Sequence, residues 1–202
     1  MWACVDVARD SKWTSGKHAS TCALSQATAG HNDVRDVVFA YASEADPASE
    51  LEPMELVSSR PRARPADVLT PAAIPGRVVA LDIGITSPAV ANGLDATEVM
   101  FQRKVEERTD QHAELEAQNI EYRPLVWTCF GRPHHAVSSV LDCIAKRVAR
   151  RRGCNASSVL RKLQCGISVC LARRAARMSL ACWPLQLSNG TADDKVAQLL
   201  AT

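Results

Sequence analysis

The sequence predicts an α/β fold, a small mixed sheet with flanking helices, followed by a basic helical pair. Residues 78–86, Val-Val-Ala-Leu-Asp-Ile-Gly-Ile-Thr, form a β-branched, apolar run that reads as a buried strand. Pro75-Gly76 separates that run from a shorter apolar piece, Val68-Leu69, which Pro71 closes. Pro-Gly is a turn signal, so the two pieces read as a hairpin. Further on, Val137, Val140, Leu141, Ile144 and Val148 recur at helical spacing and predict a helix with one apolar stripe.

Residues 1–30 are rich in Ser, Thr, Ala and Lys, lack a sustained period, and read as irregular. Cys4, His18, Cys22 and His31 are the candidate metal staples there. A Cys-x2-Cys pair, which places two thiolates on one tight turn, is missing, although His18-x3-Cys22 has knuckle-like spacing. Asn32 can cap a helix over 33–42, in which Val34, Val37, Val38 and Tyr41 share a face. Pro47 ends that segment, and the acidic, then Pro- and Arg-rich stretch to Pro65 reads as a surface loop. After the hairpin, Asp95 can cap a long polar helix over 96–118. Residues 120–128 read as a strand, which Pro124 places at an edge or bulge. The striped helix spans 136–152 and Gly153 stops it; His134-His135, after Pro133, read as the loop before it. Asn155 can cap a last helix with Val159, Leu160, Leu163, Ile167 and Leu171 on one face. Beyond Pro184 structural signals are weak. The order helix, strand, strand, helix, strand, helix describes a mixed sheet covered by helices.

Asp82 lies near the middle of the predicted buried strand, and Asp67 opens the first strand of the hairpin. A carboxylate in such a place needs a metal, a cation or a hydrogen-bond donor to offset its desolvation. Two carboxylates on adjacent strands suit Mg²⁺, which takes hard oxygen ligands and leaves positions for water and phosphate, the arrangement of phosphodiester hydrolysis. The residues also allow Asp67 as a turn residue and Asp82 as a buried acid paired with an arginine.

The 202-residue chain is 47% hydrophobic, 4% aromatic and carries a net charge of only +2, so one modest domain with appendages is expected. The charge is unevenly spread. Between Asp142 and Asp193 no acid occurs, while Lys146, Arg147, Arg150, Arg151, Arg152, Arg161, Lys162, Arg173, Arg174 and Arg177 all fall there. That asymmetry points to a polyanionic partner. The eight cysteines have no regular spacing and no apolar leader precedes them, which implies a reducing, intracellular compartment. No run reaches the length of a membrane span.

Several blocks, in order, resemble one family. They are Lys17-His18-Ala19-Ser20-Thr21-Cys22, His31-Asn32-Asp33-Val34-Arg35-Asp36-Val37-Val38, Arg64-Pro65-Ala66-Asp67-Val68, and the run from Ala80 to Pro88. Tyr122-Arg123-Pro124-Leu125-Val126 and the basic stretch Leu171 to Arg177 continue the likeness. They are similar to the C-terminal region of the reverse-transcriptase polyproteins of non-long-terminal-repeat retrotransposons, which carries a zinc knuckle and a restriction-like PD-(D/E)xK endonuclease. The likeness spans roughly Cys4 to Met178, and its specificity lies in the order of the blocks rather than in any one.

The resemblance implies a restriction-endonuclease-like αββαβ core over 32–135, a zinc-knuckle remnant over 1–31, a basic helical extension over 136–182 and a tail over 183–202. It makes Asp67 and Asp82 the metal carboxylates and Lys104, on the following helix, the cation that steadies the developing oxyanion. It makes Cys4, His18 and Cys22 three zinc ligands, with Met1 in place of the first. Mg²⁺ and Zn²⁺ are then the cofactors, DNA, with RNA beside it, the partner, and the nucleus the site of action. The sequence departs from the pattern at Pro65-Ala66-Asp67, at Gly84 two residues after Asp82, and at Gly30 before His31. No polymerase core is present, so the resemblance implies the truncated, degenerate end of a longer reading frame, with weakened or lost nicking activity. The alternative is a non-catalytic nucleic-acid-binding remnant that relies on the basic residues from Lys146 to Arg177.

Overall fold

A computed structural model describes residues 26–88 and 95–182. Helix α1 (Gln26–Ala45) is followed by β1 (Glu50–Leu51), β2 (Val68–Ile74) and β3 (Arg77–Thr86). Then come α2 (Ala96–Glu107), α3 (Thr109–Ala117), β4 (Ile120–Thr128), α4 (His135–Arg152) and α5 (Ala156–Cys182). The four strands form one mixed sheet in the order β1-β2-β3-β4, antiparallel except for the parallel pair β3–β4. The α/β class and the flanking helices are as the sequence predicts.

The pleat of β3 sorts the two faces. Val79, Leu81 and Ile83 turn to one side, where with Val68, Leu125 and Trp127 they meet Val34 and Val38 of α1 and the apolar stripes of α4 and α5. Ala80 turns to the other side and packs with Leu69, Leu115 of α3, Ile120 and Val57. Asp82 follows Ala80 in the two-residue period, so its side chain emerges on the thinner, α2/α3 side.

Several boundaries differ from the sequence reading. Helix α1 begins at Gln26 rather than after Asn32, because Gly30 and Gly166 let it pack closely on α5 and so extend a stretch with no periodic signal of its own. The polar helix breaks at Arg108: the Val105 carbonyl accepts from both the Arg108 amide and the Thr109 hydroxyl, which ends α2 and frees α3 to turn Leu115 inward. Strand β1 is two residues long and gives no sequence signal. Strand β2 continues past Pro71, since the register shifts between Thr70 and Ile74 and an irregular stretch needs no amide from proline. Strand β4 spans 120–128 and is an edge strand, which suits Pro124.

Helices α4 and α5 are no appendage. Val140, Ile144, Leu163 and Leu171 belong to the same hydrophobic cluster as α1 and the sheet, so the boundary drawn at 135/136 does not separate two cores. Gly153 caps α4 in the left-handed conformation at φ 65°, and Asn155 Oδ1 accepts from the Ser157 amide at 2.8 Å. Cys129 and Cys170 are buried free thiols, whereas Cys154 and Cys165 are exposed. Among the described residues no helix is long and apolar enough to cross a membrane.

Candidate functional site

The hairpin turn is Pro75-Gly76, with Gly76 at φ 78°, and the ladder closes from Ile74↔Arg77 to Val68↔Leu81. At its open end the Asp67 amide also donates to the Leu81 carbonyl, 2.9 Å away, so Asp67 and Val68 both address Leu81 in the manner of a bulge. Asp67 therefore precedes β2 rather than lying within it. Its carboxylate turns toward β3, where Oδ2 accepts from the Ile83 amide at 2.6 Å. The other oxygen, Oδ1, lies 3.1 Å from Nε2 of His31 on α1.

Asp82 is 7% exposed. Its Oδ1 accepts from Lys104 Nζ at 2.6 Å, and its Oδ2 from the Tyr122 hydroxyl at 2.5 Å. Lys104 comes from α2 and Tyr122 from β4, so two other elements converge on this acid of β3. The link between the two acids is the peptide joining Asp82 to Ile83, whose amide Asp67 holds.

Electrostatics tie the group together. Burial alone pushes the Asp67 carboxyl up, but the His31 hydrogen bond and charge, the Ile83 amide and the Lys104 ammonium outweigh it and hold it below the ordinary range. Lys104 thus acts on both acids. Burial, and then the charge and hydrogen bond of Asp82, push the Tyr122 phenol upward, so it stays protonated as a donor.

Gly84 explains how Lys104 reaches its place. A Cβ at Gly84 would lie 2.8 Å from Lys104 Cε and 3.2 Å from Val126 Cγ2. The missing side chain is the channel along which the lysine stem crosses β3. Among the described residues each of these four oxygens has one hydrogen-bond partner, fewer than an ionised carboxylate can accept.

The other sequence candidates are dispersed. Cys4, His18 and Cys22 lie outside the described residues. Of the basic residues, Lys146 pairs with Asp142 at 2.6 Å, Arg147 with Asp46 at 3.6 Å, Arg152 with Glu44 at 2.5 Å and Arg177 with Asp33 at 2.9 Å. Arg150, Arg151, Arg161, Lys162 and Arg173 are exposed, while Arg174 is buried.

His31 and Tyr122 escape a reading by spacing. Both stand in blocks that carry the family resemblance, yet their contact with the acids depends on how α1 and β4 pack. His134 lies just before α4, as the sequence reads it, and is the N-cap, whereas His135 is already the first helical residue; His134 Nδ1 accepts from the Ala136 amide and Nε2 lies 2.7 Å from Glu98 Oε2. With His135 these residues form a group of three possible metal ligands. A metal-bound histidine ordinarily donates through its second ring nitrogen, and here that nitrogen accepts, so the trio fits a helix cap whose Nε2–H donates to Glu98 better than a metal centre. No protein-family model matches the chain, and no curated protein matches it.

Proposed function

We propose that the chain is a retroelement-derived domain with a restriction-endonuclease-like core that nicks DNA by metal-assisted phosphodiester hydrolysis, at a rate lowered by its departures from the PD-(D/E)xK pattern. The observation that carries this reading is that Lys104 pairs with Asp82 at 2.6 Å while Asp67 holds the amide of the next residue, Ile83, so the ammonium's charge is felt at Asp67 as well. Asp67 and Asp82 would hold Mg²⁺, the hard cation their oxygens suit. When bound, such an ion supplies Lewis acidity and a deprotonated water. His31 and the Ile83 amide fix Asp67, Tyr122 and Lys104 fix Asp82, and Lys104 would there steady the oxygen on which charge grows.

The test is nicking of a supercoiled plasmid by the full chain with Mg²⁺. Asp82→Ala and Lys104→Met should each lower the rate by about 100-fold or more while cooperative unfolding persists. Gly84→Lys combined with Lys104→Ala should restore part of it, because an ammonium then returns from the strand itself. Nicking unchanged by Asp82→Ala removes Asp82 from the mechanism.

A second reading is a non-catalytic nucleic-acid-binding remnant. The exposed residues Arg150, Arg151, Arg161, Lys162 and Arg173 favour it, since phosphate contacts by such groups give sequence-independent binding. Its signature is DNA affinity that falls steeply with salt and does not respond to Mg²⁺.

A further inference from the structure

Among the basic residues of the two last helices Arg174 stands apart. It is 8% exposed, and its Nε and Nη1 have no hydrogen-bond partner among the described residues. A buried guanidinium without an acceptor carries the desolvation cost of a charge with nothing set against it. Desolvation accordingly holds it below its ordinary range, although a guanidinium remains protonated throughout the physiological interval.

The placement is built into the fold. A Cβ at Gly30 would fall 2.4 Å from Arg174 Cγ, 2.5 Å from Cδ and 2.6 Å from Cβ. These atoms include the root of the side chain, which cannot swing aside, so only glycine at position 30 lets α5 bring Arg174 against α1. The next residue is His31, whose Nε2 holds Asp67 3.1 Å away. Arg174 is also within electrostatic reach of Cys129, whose amide bonds to the Thr86 carbonyl at the end of β3. The cation therefore lies against the first turns of α1 and in the neighbourhood of the end of the strand that carries Asp82.

We propose that Arg174 is an anchor for one phosphate of a polynucleotide backbone, next to but distinct from the phosphate that would lie between Asp67 and Asp82. The inference rests on the polynucleotide reading above. A phosphate supplies the acceptor oxygens that Nε and Nη1 lack, and the planar guanidinium is the side chain best suited to meet it. Because Nε and Nη1 are buried, contact with a phosphate requires rotation about the terminal bonds of the side chain that turns these donors outward. The exposed arginines add salt-dependent affinity; Arg174 adds register, because its stem is fixed by the helix crossing at Gly30.

The experiment uses the full chain and a fluorescein-labelled duplex of about 20 base pairs in EDTA, so that binding is read without cleavage. In wild type the slope of log affinity against log salt should be steep, and Arg174→Met should lessen it by about one. Inorganic phosphate should raise the melting temperature of wild type and leave that of Arg174→Met unmoved. Without phosphate, Arg174→Met should melt at or above wild type, since an unmatched buried charge has been removed. Gly30→Ala, which keeps the arginine but displaces its stem, should reproduce the loss of slope.

An unchanged slope together with an unchanged phosphate shift in Arg174→Met overturns the proposal. So does loss of cooperative unfolding in that variant, which would make Arg174 structural. The hydrolytic reading fails separately, when Mg²⁺-dependent nicking is absent or survives Asp82→Ala while the Arg174 effects stand. If wild type binds no duplex yet still gains stability from inorganic phosphate, the phosphate site stands and the polynucleotide reading falls.

Discussion

Asp67 carries two jobs in one carboxylate, holding the Ile83 amide with one oxygen and His31 with the other. Because its folded pKa is lowered, its contribution to stability is present above the unfolded value near pH 4 and is lost as pH falls through the folded value. Asp67→Asn should therefore be less stable than wild type by on the order of 1 kcal/mol at pH 7, from weakened charge-assisted bonds, with the gap closing below about pH 4. Urea unfolding from pH 3 to pH 8 reads this directly, and a gap that widens in acid would contradict it. At Asp82 the need for a partner was legible, since an acid inside a β-branched run must be met by something. Lys104 as that partner entered only through the family resemblance, and Tyr122 did not enter at all. Gly84 is the clearest case: in sequence it is a gap in a motif, and in space it is the room through which Lys104 passes.

Among the elements, those with local punctuation were the readable ones. The Pro75-Gly76 hairpin, strand 120–128, the stop at Gly153 and the cap at Asn155 all stand as the sequence placed them. Each is fixed by contacts within a few residues, which composition records. Asn155→Ala should cost about 1 kcal/mol, as loss of an N-cap does, without altering duplex binding. Equilibrium denaturation checks the first part, and a value near zero would mean that the start of α5 is held by packing alone. The misplaced boundaries have non-local causes. Helix α1 gains its first turns from α5, and β1 exists because β2 offers it an edge. The break at Arg108 rests on competition for one carbonyl, a choice too fine for periodicity to register.

For the whole molecule, the decisive arrangement is that α4 and α5 close the core that α1 and the sheet begin. Ile144, fully buried there, touches the common interior rather than a private one. Ile144→Ala should lower stability by about 2–5 kcal/mol and do so for the entire chain. Near- and far-ultraviolet circular dichroism should then report one shared transition, whereas two separated transitions would restore the helical pair as an independent unit. The same packing reshapes the charge. Lys146, Arg147, Arg152 and Arg177 have carboxylate neighbours, and Arg174 turns inward, so the basic tract is less uniform in space than in sequence.

By itself the sequence determined the α/β class, the hairpin, the striped helices and the presence of two acids in search of a counter-charge, because alternation, helical period and turn residues are local properties. Tertiary structure alone decided which cation reaches which acid and which has no partner among the described residues. Lys104 arrives from another layer through the space at Gly84, and Arg174 arrives through the space at Gly30. A glycine records that something can come close; only the crossing of distant segments determines what does.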